Sequence, residues 1–171
     1  MSQRISLREF QRALSQRIQD SATQTSSQNR LAIQVGGQNW LVDMTDISEV
    51  ATAQPWIAVP MTKTWFLGIT NIRGRLYTVV DLAAYAGMNA TTHHHHNRLL
   101  LSHPRFTTQT ALLVDRALGL RNIDAMRAEQ VPGQTEWMID MRHDEQGQIW
   151  HNINLGTLLT QTEFLSVGVH S

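Results

Sequence analysis

Cysteine is absent from this 171-residue chain, which excludes a disulfide framework and thiolate catalysis. A reducing compartment is permitted but not required. Lysine is nearly absent, Lys63 being the single one, and no function follows from that. Neither sign of charge prevails: 14 basic and 14 acidic side chains give a formal net charge of zero. Nucleic acid is therefore disfavoured as a partner, because phosphate binding needs a basic surplus. No apolar run approaches the roughly 20 residues that span a bilayer. The N-terminal MSQRISLREFQRAL lacks the continuous apolar core of a secretory signal. A soluble, cytoplasmic protein without direct membrane insertion is expected.

Catalytic signatures are missing too. The chain has no G-x-S-x-G, no P-loop and no G-x-G-x-x-G. Asp81, Asp115 and Asp140 each follow an apolar run and read as strand-end caps. Four consecutive histidines, His93-His94-His95-His96, suit a metal ion chemically. Consecutive loop residues lack the rigid support of a metal centre, however, and no H-E-x-x-H or acidic partner set accompanies them. The tract reads as a solvated loop, so no metal, no cofactor and no enzymatic activity are expected.

What the chain does have is a 42% hydrophobic share, enough for a core. Its most informative stretch is residues 65–86, WFLGITNIRGRLYTVVDLAAYA. A polar tetrad, Asn71-Ile72-Arg73-Gly74, separates two apolar runs. The second run, 76–80, is rich in β-branched and aromatic residues and reads as a strand. Gly74 takes positive φ without steric cost. An arginine fixed at such a turn presents five donors from a rigid place, so Arg73 is a candidate recognition residue rather than a catalyst.

Around this stretch the pattern is mostly β. Segments 31–35 and 39–42 flank Gly36-Gly37, a hairpin turn. Residues 46–50 alternate, and residues 54–64 form a loop bracketed by Pro55 and Pro60. Further strands are predicted at 98–102, 110–115, 118–123, 137–141 and 148–153, with short helices at 82–88 and 155–160. Before them, Ser6 and Glu9 fit a capping box. Leu7, Phe10, Leu14 and Ile18 follow at helical spacing. This stripe docks on its own domain, lies on a membrane surface or engages a partner. Deletion of residues 1–24 separates the outcomes: lost partner binding at unchanged melting temperature marks a partner helix, and a large stability loss marks a docked one.

One regularity is internal. Gly74–Leu82 aligns without gaps to Gly147–Leu155, each running from a turn glycine through an aliphatic and an aromatic residue to Asp or Asn, then Leu. The simplest account is two similar small barrels, each ending in strand, polar cap and short helix.

These residues carry a family likeness. Gly68-Ile69-Thr70-Asn71-Ile72-Arg73-Gly74 followed by Val79-Val80-Asp81-Leu82 resembles the signature of CheW-like chemotaxis coupling domains. Leu112-Leu113-Val114-Asp115 and residues 149–159 resemble later strands and the closing helix of that family. Residues 39–43, 46–50 and 63–68, with the helical leader, resemble its twitching-motility branch, the PilI-type adaptors of type IV pilus systems. The resemblance implies a mainly β fold of two five-stranded SH3-like barrels packed together. An N-terminal helix and polar linker would span 1–29, the CheW-like domain 30–160 and a C-terminal tail 161–171. It also implies a non-enzymatic adaptor joining a methyl-accepting chemoreceptor's cytoplasmic tip to the regulatory domain of a CheA-like histidine kinase, at membrane-bound receptor arrays. By the same resemblance Ile47, Gly68, Asn71, Arg73 and Gly74 match positions facing the receptor groove, and Glu49 lies beside Ile47 in the same candidate groove. Arg73 would bond the receptor or pair internally with Glu49, and Gly68 would admit a helix closely. The competing classes are a small barrel binding single-stranded nucleic acid and a metalloprotein built on the histidine tract.

Overall fold

β7 (Thr110–Val114) is buried along its whole length, and a strand buried on both faces must separate two cores. Ala111 and Leu113 face one core, Leu112 and Val114 the other. That division runs through the whole protein, seen here in a computed structural model that describes residues 11–13, 15–16 and 28–169. Residues 11–13 and 15–16 are helical and exposed. Leu7, Phe10, Leu14 and Ile18 lie outside the described residues.

The strands are β1 (Asn29–Val35), β2 (Gln38–Asp43), β3 (Ile47–Thr52), β4 (Phe66–Ile72), β5 (Arg75–Asp81), β6 (Arg98–Ser102), β7, β8 (Arg116–Asn122), β9 (Arg127–Glu129), β10 (Met138–His143) and β11 (Ile149–Ile153). Helix α1 (Leu82–Tyr85) follows β5, and α2 (Leu155–Thr160) and α3 (Thr162–Leu165) follow β11. The fold is mainly β, two packed sheets forming SH3-like lobes. One sheet runs β8-β1-β2-β11-β10-β9 and the other β3-β6-β7-β5-β4. The sixth strand of the first sheet is the three-residue β9 at its edge, too short to leave a periodic signal.

Apart from β9, the strands of the two sheets correspond. In each, one parallel pair, β2 with β11 or β5 with β7, sits among antiparallel neighbours. The lobes are intertwined, because the β1–β2 hairpin belongs to the sheet completed by β8–β11. The nine-residue repeat marks this relation. Asp81 caps α1 by accepting the Ala84 amide at 3.3 Å, and Asn154 caps α2 by accepting the Thr157 amide at 3.0 Å. The helix predicted at 82–88 ends sooner, since Gly87 turns the chain at φ 80°. Asp115 accepts the Gly37 amide at 3.0 Å. Asp140 is no strand-end cap: it sits within β10, paired with Arg142 at 2.9 Å and accepting from Asn152 at 3.0 Å.

Three cores result. The shared core between the sheets collects Trp40, Val42, Val80, Leu100, Leu112 and Ile153, and both repeat helices add Leu82, Leu155 and Leu158. One lobe encloses Tyr77, Val79, Leu99, Leu101 and Leu113, the other Ala32, Leu41 and Trp150.

The C-terminal segment expected as a tail is docked. Phe164 is buried in the shared core, stacked on Trp65 at 5.9 Å and edge-on to Tyr85 at 5.1 Å. The Tyr85 hydroxyl donates to Gln161 at 2.9 Å; burial, then the charge of Glu163, pushes its pKa up to about 12. Beyond it, the Lys63 amide donates to Val167 O and the Val169 amide to Met61 O, each at 2.8 Å.

Two outcomes follow from this packing. Phe164→Ala should cost about 3–5 kcal/mol, measured by denaturant unfolding; a cost near zero would show that the segment merely rests on the surface. His151 is half-buried beside Trp40, and its Nδ1 is buried without a hydrogen-bond partner. Burial lowers its pKa from 6.5, so the unfolded chain binds the proton more readily. Its contribution is full above pH 6.5 and is lost as the pH falls below that value toward the lowered folded pKa. Melting temperature should therefore fall less steeply between about pH 7 and 5 in His151→Gln than in the parent.

Candidate recognition site

The tetrad lies where β4 turns into β5. Ile72 pairs with Arg75, leaving Arg73-Gly74 as a two-residue connection with φ of 52° and 81°. Positive φ at both positions is a type I′ turn, whose favoured residues are Asn and Gly. The Asn71 side chain accepts the Gly74 amide at 2.9 Å, which fixes the turn. Arg73 thus holds a backbone conformation that L-residues avoid.

The guanidinium reaches across to β3. Arg73 Nη1 donates to Glu49 Oε2 at 2.5 Å and Nη2 to Oε1 at 2.6 Å, a bidentate fork. β3 and β4 are the two edges of the five-stranded sheet, so the pair ties its free edges together. The Arg73 side chain is 74% exposed and that of Glu49 31%. Hydrogen bonding to Glu49, then its charge, raises the Arg73 pKa, so the cation is permanent. A bulge at Ser48 aims Glu49 toward the turn: the β3 register shifts between Ile47 and Glu49, and the Ser48 hydroxyl lies 3.2 Å from Leu101 O.

The other expected groove residues are placed differently. Ile47 is buried in the shared core. Beside it, Asp46 pairs with Arg105, which also donates to Thr45 O at 2.5 Å; burial raises the Asp46 pKa against the pull of Arg105. The close approach expected at Gly68 is made within the chain. Gly68 is buried with φ 143°, and a Cβ there would meet Ile57 O at 2.0 Å. Ile57 and Ile69 exchange backbone hydrogen bonds of 2.8 and 2.9 Å, so the 54–64 loop, not a foreign helix, occupies that space. Glu49, Asn71, Arg73 and Gly74 therefore form one exposed cluster, without Ile47 and Gly68.

Apolar neighbours of that cluster escaped the sequence reading. Ile57 is 79% exposed and Leu76 62% exposed. Leu76 pairs with Asn71 and Ile57 bridges to Ile69, so an apolar row continues from the turn along the outer face. The signal was present: Ile69 occupies an exposed phase of β4.

The competing backbone and ion-pair effects give two predictions. An exposed ion pair adds little stability, whereas Asn in place of Arg73 relieves an unfavourable turn conformation. Arg73→Asn should leave the melting temperature unchanged or raised; a clear drop would show that the Glu49 fork stabilises the fold. Gly68→Ala should cost at least about 1–3 kcal/mol from backbone strain alone, read by denaturant unfolding, because the Ile57 carbonyl cannot move without breaking its bridge.

Comparison with known proteins agrees with this architecture. Residues 30–163 match the CheW-like domain. The chain is 27% identical over 104 residues to Protein PilI of Pseudomonas aeruginosa, covering 60% of this chain and 57% of that protein. It is 28% identical over 85 residues to a probable chemotaxis protein CheW of Rhizobium etli, covering 50% of this chain and 54% of the relative. These matches thus span little more than half the relatives' own lengths. The crystal structure of scaffolding protein TtCheW from Thermoanaerobacter tengcongensis superposes with a TM-score of 0.67 at 18% identity, covering 79% of this chain and 89% of that one. With the match running through both sheets, the chain belongs to the CheW-like domain family.

Proposed function

We propose that the protein is a non-enzymatic adaptor joining a methyl-accepting chemoreceptor to a CheA-type histidine kinase, in signalling linked to type IV pili. Membership of the CheW-like family supports the adaptor role, and the likeness to PilI supports the pilus branch. No helix among the described residues is long and apolar enough to cross a membrane. The adaptor works in the cytoplasm, reaching membrane-bound receptor arrays through its partners.

One observation carries the recognition site. An exposed arginine is held at strained positive φ in a pair whose geometry adds little stability. Strain kept where it does not stabilise points to function. The fork to Glu49 uses two of the five guanidinium donors. It also fixes the rotamer, so the remaining donors meet a partner with little further entropy cost. Beside it, the Ile57–Ile69 and Leu76 row supplies apolar contact. That combination fits an amphipathic helical hairpin, held by apolar contact and oriented by a few polar groups. Ile47 and Gly68 serve the site from beneath, Ile47 by seating β3 and Gly68 by seating the Ile57 loop.

The test is calorimetry or pull-down with a receptor signalling fragment. Arg73→Ala should weaken binding at least about tenfold while the melting temperature stays that of the parent. Glu49→Gln should weaken it less, since the arginine remains but loses its fork. Unchanged receptor affinity in Arg73→Ala would overturn the assignment of the site.

A further inference from the structure

The histidine tract lies between α1 and β6, and the structure gives it the support that its sequence does not suggest. Asn97 is 3% exposed and closes the turn on itself. Its Oδ1 accepts the His94 amide at 2.6 Å, and its own amide donates to His94 O at 3.0 Å. Its Nδ2 donates to Asp115 O at 3.3 Å, which ties the turn to the end of β7. Arg98 donates to His95 O at 3.1 Å. Upstream, the buried α1 cap Asp81 accepts the Thr91 amide and hydroxyl, each at 2.7 Å. The loop is thus pinned at both ends by buried side chains.

Within this frame the histidines divide. His93 stacks on Trp56 at 5.4 Å. His94, His95 and His96 converge instead, with ring centroids 3.8–4.8 Å apart. One ring nitrogen from each lies within 4.8 Å of the other two. We propose that His94, His95 and His96 form a binding site for a divalent transition-metal ion of the zinc and copper class.

The chemistry selects that class. Imidazole nitrogen suits Zn²⁺ and Cu²⁺, whereas Ca²⁺ and Mg²⁺ require oxygen donors, and the triad contains no carboxylate. Metal binding needs neutral imidazole. Zinc–nitrogen bonds of 2.0–2.1 Å in a tetrahedron place ligand nitrogens about 3.4 Å apart. Side-chain rotation closes the remaining gap while Asn97 keeps the backbone in place. Three protein ligands leave the fourth position to water.

The full chain, without an affinity tag and stripped with a chelator, is titrated calorimetrically with Zn²⁺ alone. One equivalent should bind. It should be lost in the combined His94→Gln, His95→Gln, His96→Gln variant, whose metal-free melting temperature should match the parent. His95→Gln alone should weaken binding by about tenfold or more, which keeps the test decisive should the combined variant fold poorly. His93→Gln should bind as the parent does. Lowering the pH from about 7.5 to 5.5 should weaken binding, because protons compete for the same nitrogens. With Cu²⁺ alone, electron paramagnetic resonance should show nitrogen hyperfine structure that the combined variant lacks. No stoichiometric uptake, uptake unchanged in the combined variant, or equal loss in His93→Gln would overturn the site and mark any binding as adventitious.

Discussion

Everything in this protein hangs on one shared apolar core between two sheets. Strands such as β7 are buried on both faces, so each carries the shared core on one side and its own lobe interior on the other. Removing one lobe would expose Trp40, Leu100, Leu112 and Ile153 together, a large apolar area for the other lobe to carry alone. The helices complete the core, and each depends on a polar cap. Asp81 is 2% exposed, so its carboxylate needs full satisfaction, which Ala84 and Thr91 provide. The same carboxylate therefore starts a helix, seats Leu82 in the core and fixes the loop that leads to the histidine turn.

The proposed recognition site sits where that order reaches the surface. Its structural counterpart shows what an unspecialised turn in this fold looks like. At residues 144–147 the Asp144 side chain accepts the Gln146 and Gln148 amides at 3.0 and 2.9 Å and the Trp150 indole at 3.0 Å. The indole bond holds the Asp144 pKa below its ordinary value. The Asp144 carboxylate is spent within the hairpin. At 71–74 only Asn71 serves the turn, and Arg73 looks outward across the open edges of its sheet. An exposed pair at strained φ adds little to stability, so the asymmetry between the two turns supports the recognition role proposed for Arg73.

Much of this was legible in local sequence, because period-two alternation and turn chemistry act over a few residues. Gly36-Gly37 forms the predicted hairpin turn, with φ of 55° and 77°. Asp81 and Asn154 cap the helices that the nine-residue repeat implied. The pairing of Arg73 with Glu49 is one of the two roles that the likeness offered. Other elements were not legible. Gly68 read as a place for a partner because a sequence shows that a backbone comes close without showing whose. Phe164 and the segment behind it carry no periodic pattern, so a docked strap and a loose tail look alike until Trp65 and Tyr85 are seen beside it.

By itself the sequence determined the longer strands, the Asp81 and Asn154 caps, the hairpin turns and the mainly β class, since each rests on contacts between residues close along the chain. Tertiary structure alone decided that β2 lies parallel to β11 and that the lobes interlock, because parallel pairing across more than a hundred residues leaves no local trace. It also decided which predicted site residues share a surface. Ile47 turned into the core and Gly68 under its own loop, while Glu49 swung out through a one-residue bulge. A shift of a single residue in a strand changes which face a side chain occupies, and only the packed sheets fix that register.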